Sequence, residues 1–135
     1  MNGEIVLDFV SRINEHDVTS LAELLSDDHT FTDAHNNSIT GKANMIQGWK
    51  GYYSMFPDYK IEVDEFYEAG NTFVMMGFAS GTFKGLNPEK NHWKLPAAWK
   101  AVVEEGKIKL WQVYCDTKIP FEIIEKNPRQ GRKLG

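Results

Sequence analysis

Between Glu4 and Asn14 the apolar positions recur at helical spacing. Ile5, Phe9 and Ile13 lie four apart, Val6 and Val10 stand beside them, and Asp8, Arg12 and Glu15 fall on other faces. That is the pattern of an amphipathic helix. Asp17 is placed to cap a second, short helix over Val18–Leu25, with Leu21, Leu24 and Leu25 as its apolar side. Asp27-Asp28 then breaks it. A strand is predicted over His29–His35, on which the two-residue period sets Phe31, Asp33 and His35 on one face. After the polar loop Asn36-Asn37-Ser38, Thr40 is placed to cap a third helix that runs to Phe56. Its stripe is Met45 or Ile46, Trp49, Tyr53 and Phe56, and Phe56-Pro57-Asp58 stops it.

Beyond Asp58 the pattern changes to that of strands. Tyr59–Glu68 alternates imperfectly. Thr72–Phe83 is apolar and aromatic, and Gly77 and Gly81 inside it mark bulges or strong bends. Leu86–Asn91 reads as a loop. Trp93, Leu95, Ala97, Trp99, Ala101 and Val103 alternate with polar residues such as Lys94, Lys100 and Glu104, the cleanest strand pattern in the chain. Glu105-Gly106 makes a hairpin turn into a last strand, Ile108–Asp116. Three helices followed by long bent strands predict an α+β domain. The helices must cover one face of the sheet, and a curved sheet would leave an apolar cone between the layers.

Composition narrows the picture. The chain has 135 residues, 41% of them hydrophobic and 25% charged, which fits one globular domain. We take that domain as 1–125, followed by a basic, flexible tail over 126–135 containing Lys126, Arg129, Arg132 and Lys133. The net charge is −4, with no basic face elsewhere, so nucleic acid is not an expected partner. No apolar run reaches membrane-spanning length, and Met1-Asn2-Gly3-Glu4 lacks the order of a signal peptide. A single cysteine, Cys115, excludes an intrachain disulfide, and a cytoplasmic setting is expected.

The order of several short motifs resembles the nuclear-transport-factor-2-like superfamily, and within it the SnoaL-like polyketide cyclase group. They are Asn14-Glu15-His16-Asp17 with Leu24-Leu25-Ser26-Asp27-Asp28; Phe31-Thr32-Asp33; Gly41 leading to Phe56-Pro57-Asp58; Glu105-Gly106-Lys107-Ile108; and Trp111-Gln112-Val113-Tyr114-Cys115-Asp116. The resemblance spans about residues 3–125. It implies a curved mixed or antiparallel sheet, coned round a deep pocket under three N-terminal helices, usually in a homodimer. Here the outer sheet face would meet the second copy. Ketosteroid isomerases of this superfamily carry a first-strand aspartate where Asp33 stands, but their oxyanion-hole tyrosine and aspartic acid fall at Phe9 and about Ala98. Limonene epoxide hydrolases share a last-strand Trp-x-x-Tyr-x-Asp, matched by Trp111, Tyr114 and Asp116, while their Arg–Asp pair falls near Phe78 and Ser80. Polyketide cyclases use a pocket aspartate as acid or base, a role the resemblance implies for Asp116.

The residues themselves offer the same candidates. Alternation puts Ile108, Leu110, Gln112, Tyr114 and Asp116 on one face, where desolvation would raise the carboxyl of Asp116 toward a useful range. The alternative is that Asp116 caps the turn before Lys118-Ile119-Pro120. Asp33 and His35 would stand about 7 Å apart on their strand, to orient substrate or stabilise charge; the alternative is a solvent-facing strand end. Trp49, Tyr53, Trp99, Gln112 and Tyr114 are the candidate pocket wall, against the plainer reading of the aromatics as core. His16, His29, His35 and His92 are too scattered for a metal set, and no metal or other cofactor is expected. The reading is a pocket protein for a small apolar or aromatic carbonyl compound, acting by cofactor-free acid/base chemistry, or a noncatalytic ligand-binding module on the same fold.

Overall fold

A computed structural model describes residues 2–127. Helix α1 covers Asn2–Glu15 and buries Val6, Phe9, Val10 and Ile13 of the predicted stripe, with Ile5 partly buried at its edge. Helix α2 is Val18–Ala22, shorter than the pattern suggested. Asp17 caps it, its side chain accepting from the Ser20 N–H. Leu25 belongs already to strand β1, Leu25–Thr32, so Asp27-Asp28 lies inside a strand. A three-residue strand β2, Ser38–Thr40, pairs antiparallel with β1. Thr40 therefore ends a strand, and the N-cap of α3, Lys42–Met55, is Gly41 at φ 104°, a conformation glycine adopts without strain.

Four long strand segments and three short helical ones complete the described residues. Strand β3 is Lys60–Ala69, β4 Thr72–Thr82, β5 His92–Glu104 and β6 Lys107–Cys115. The stretch expected to be a loop holds a 3₁₀ turn, Phe83–Gly85, and a single helical turn α4, Pro88–Asn91. Helix α5, Lys118–Lys126, follows β6 and was not anticipated. Lys126 of the predicted basic tail ends α5, while Arg129, Arg132 and Lys133 lie outside the described residues. The strands form one open mixed sheet in the order β2-β1-β6-β5-β4-β3, parallel between β1 and β6 and antiparallel elsewhere.

Two irregularities bend this sheet. Opposite Gly77 the β3 register slips between Val63 and Glu65, a bulge at Asp64. On β6 the pairing runs Val102–Leu110, then Val103–Ile108, leaving Lys109 as an extra residue. A bulge increases local twist and reverses which parity of residues faces inward. Helix α1 packs into the concave face, with Phe9 edge-on to Trp111 at 5.0 Å. The type I′ turn at Glu105-Gly106, both at positive φ, closes the β5–β6 hairpin as its sequence required. Among the described residues no helix is long and apolar enough to cross a membrane.

Candidate ligand cavity

Between α3 and the concave face of the sheet lies a cavity of about 360 Å³, within the range of small-molecule sites. Helix α3 lines it with Met45, Trp49, Tyr52 and Met55, spaced to fall on one helical face, and Phe56 at its C-cap joins them. The sheet contributes Phe31, Ala79, Trp93, Leu95, Trp99, Trp111, Val113 and Cys115. Pro120, Phe121 and Ile124 of α5, with Thr117, and Asp33 and His35 of the β1–β2 turn also line it. All four tryptophans of the chain line this one cavity. The alternation of β5 is as predicted, with Trp93, Ala97, Trp99, Ala101 and Val103 buried.

The expected geometry of the last strand needs correction. Lys109 bulges out of the ladder and reaches Asp28 at 2.6 Å, and past it the inward parity passes to Trp111, Val113 and Cys115. Gln112 and Tyr114 therefore do not line the cavity, and Tyr114 is half exposed. Asp116 is exposed just beyond the strand, and its carboxylate accepts the Lys118 N–H at 2.9 Å, capping the turn into α5. Tyr53 also turns away from the cavity. Its hydroxyl donates to the Ile13 carbonyl at 2.7 Å and its ring stacks on His16, pinning α3 to the end of α1. The α3 tyrosine facing the cavity is its neighbour Tyr52, three residues after Trp49 rather than four. Of the predicted wall, Trp49 and Trp99 line the cavity.

Asp33 and His35 line the cavity, but from a turn rather than a strand. The Asp33 carboxylate accepts the backbone N–H groups of His35 and Asn37 and the Asn37 amide. Burial pushes this carboxyl up, yet those donors outweigh it and hold it below its usual range. An ionised carboxylate with its lone pairs engaged is a poor proton acceptor. His35 is differently placed. Its Nε2 meets the Thr117 hydroxyl at 2.7 Å and its ring stacks on Phe121 at 5.3 Å, while Nδ1 has no hydrogen-bond partner among the described residues. The pair thus links the β1–β2 turn to α5.

The interior carries little charge. Apart from Asp33 and His35, no acidic or basic side chain among the described residues lines the cavity. Burial, aided by the charge of Asp116, raises the Cys115 thiol above its ordinary value and keeps it protonated. Burial likewise raises the phenols of Tyr52 and Tyr59, which remain neutral hydroxyls. The indole N–H groups of Trp49 and Trp93 are buried without an acceptor among the described residues. Among the described residues no three His, Cys, Asp or Glu side chains are placed to hold a metal ion. Sequence reasoning missed Tyr52, Tyr59, Cys115 and Phe121. The spacing of Met45, Trp49, Tyr52 and Phe56 could have singled out Tyr52; the bulge that turns Cys115 inward leaves no such signal.

An open, coned mixed sheet under α1–α3, holding an aromatic cavity, is the architecture of nuclear-transport-factor-2-like proteins. The SnoaL-like domain model matches residues 6–111, and the chain belongs to that family. Among curated proteins none matches the chain. Solved structures are similar in fold. A protein of ketosteroid isomerase-like fold from Catenulispora acidiphila, in complex with trimethylamine, superposes with a TM-score of 0.78 at 19% identity, covering 88% of this chain and 90% of that one. A Shewanella putrefaciens protein named for the SnoaL-like polyketide cyclases gives 0.78 at 17% identity over 93% and 96%. TerC, co-crystallised with polyporic acid, gives 0.78 at 17% over 92% and 98%. At such identities the likeness is one of fold.

Proposed function

We propose that this chain binds a flat, largely apolar carbonyl compound in the cone and moves a proton on it without a cofactor, with His35 as the proton carrier at the cavity wall. The observation that carries this reading is the 360 Å³ cavity walled by all four tryptophans. Packed interiors hold few voids larger than a water molecule, so an apolar hollow of this size suits a ligand. The trimethylamine and polyporic acid held by similar folds support a small-molecule role. His35 is preferred to the two aspartates because its Nδ1 is unengaged, while Asp33 and Asp116 act through the backbone of their turns. The absence of an unengaged carboxylate from the wall favours the second reading, a noncatalytic binding module.

The test is deuterium exchange into the methyl group of 2-acetylnaphthalene, followed by proton NMR in heavy water. A bound ketone whose α-proton passes to His35 forms an enolate, and return of deuterium from solvent completes the exchange. Wild type is expected to accelerate exchange over buffer, and His35→Gln to lose about 10²–10⁴-fold of that acceleration while still binding the ketone. Binding with exchange no faster than buffer would overturn the catalytic part and leave the binding module.

The same reading includes a homodimer through the outer sheet face. Met76, Ala98 and Tyr114 stand side by side across β4, β5 and β6, and Met76 and Tyr114 are 44% and 50% exposed. An apolar row of this kind on a sheet face suits a self-complementary contact. Light scattering on the wild type should give the mass of two chains, and Met76→Glu/Tyr114→Glu the mass of one with the melting temperature of a folded domain. A monomeric wild type at high concentration contradicts the dimer.

A further inference from the structure

We propose that the hydroxyls of Tyr52 and Tyr59 form a two-donor site inside the cone, which captures an acceptor oxygen of the ligand and selects carbonyl or enolate compounds over hydrocarbons and ammonium ions of the same shape. The inference rests on the small-molecule reading above and names which end of the molecule is recognised. Tyr59 is 7% exposed, and its ring meets Tyr52 edge-to-face with centroids 4.9 Å apart. Both line the cavity, and neither hydroxyl has a hydrogen-bond partner among the described residues. The other tyrosines differ. Tyr53 donates to Ile13, Tyr67 donates to Glu65, and Tyr114 is half exposed to solvent. Tyr52 and Tyr59 are thus the cavity phenols without a hydrogen-bond partner among the described residues, and their oxygens keep accessible surface. A ligand that covers these hydroxyls without accepting from them strands two donors, which is costly, whereas a ligand oxygen satisfies them.

The surroundings fix the polarity of the site. Trp49 and Trp93 flank Tyr59 at centroid distances of 6.5 and 6.4 Å, with their indole N–H groups buried away from the cavity surface. Nearby, the Cys115 thiol is protonated. The Asp33 carboxylate is engaged in its turn. Burial keeps both phenols protonated, so they donate rather than carry charge. Preformed donors in a low-dielectric site favour an oxygen that is negative or becoming so, and they disfavour a cation.

The proposal is tested by calorimetric titration of the intact chain with three probes of one shape: 2-acetylnaphthalene, 2-isopropenylnaphthalene and 1-(2-naphthyl)ethylammonium. The ketone is expected to bind at least about tenfold more tightly than the alkene, the worth of one good hydrogen bond, and the ammonium ion most weakly. Tyr52→Phe and Tyr59→Phe should each reduce the ketone's advantage, and the double variant should bring it to parity while binding the alkene no more weakly than wild type does. Without ligand these variants should melt no lower than wild type, because the hydroxyls serve no contact in the fold. Equal binding of ketone and alkene by wild type, or an advantage that survives in the double variant, overturns the donor pair while leaving the pocket reading intact. A marked loss of melting temperature in Tyr59→Phe also overturns it. Failure of all three probes to bind overturns both.

Discussion

Gly77→Ala is expected to destabilise the fold by about 3 kcal/mol or more, which for a chain of this size lowers the melting temperature by roughly 10 °C. A Cβ built on Gly77 would stand 1.8 Å from the Glu62 carbonyl oxygen, 2.8 Å from its carbon and 3.1 Å from the Val63 Cα. All three are backbone atoms of the neighbouring strand, so no rotamer change relieves the clash. This is the point where β3 bulges at Asp64 and the sheet curves toward the cone. The side chain would have to push β3 off β4 and flatten the bend that holds the cavity open. Urea unfolding measures the loss. A Gly77→Ala protein as stable as wild type would mean that the two strands pass each other more loosely than described. Gly81, whose added Cβ would meet side-chain atoms of Phe56 and Trp93 at 3.2 and 3.3 Å, should tolerate alanine better, because those neighbours can shift.

Acid should weaken the protein through His29. This side chain is fully buried on β1, where Nδ1 lies 2.8 Å from the Ile108 carbonyl and Nε2 has no partner among the described residues. Burial lowers its pKa, against the opposing effect of the hydrogen bond to Ile108 and the charge of Asp28. A neutral ring donating from Nδ1 suits the site; a charged ring would bury a second N–H with nothing to receive it. The unfolded chain binds the proton more readily, at a pKa of about 6.5. Stability from this group is therefore complete above that pH. It falls as pH drops below it, by up to about 1.4 kcal/mol per unit until the folded pKa is reached. His29→Asn retains a donor near the Nδ1 position and does not titrate. Its unfolding free energy should change far less than that of wild type between pH 7.5 and 5.0, and identical slopes would remove His29 from the account.

What the sequence disclosed follows from how long each pattern runs. Helix α1 and strand β5 carry one unbroken period over three turns and six alternations, and both are built as read. The β5–β6 turn is local chemistry, since Glu105-Gly106 supplies two positive-φ residues. The site was harder to read because its geometry depends on interruptions. Counting by twos from Ile108 sets Asp116, Tyr114 and Gln112 inward, and one extra residue at Lys109 gives the wall to Trp111, Val113 and Cys115 instead. Tyr52 and Tyr53 are adjacent aromatics, and only the docking of α3 against α1 decides that Tyr53 bonds Ile13 and Tyr52 meets the cavity. Strand β1 stops at Thr32 because Asp33 turns its carboxylate onto the backbone N–H groups of His35 and Asn37, a local turn that periodicity does not record. Helix α5 was hidden by Pro120, a residue tolerated in the first helical turn but read as part of a bend.

The central claim is that the cone is a ligand site. Its most direct test is the nitrogen–proton correlation spectrum of the labelled chain titrated with 2-acetylnaphthalene. All four indole resonances, from Trp49, Trp93, Trp99 and Trp111, should move together along one saturable curve, while amides of the outer face at Met76 and Tyr114 stay in place. At a ligand concentration a hundred times its Kd, the same complex should be more stable to unfolding by about 2.7 kcal/mol. Indole resonances that stay still at saturating ketone, or shifts confined to the outer sheet face, would contradict the account.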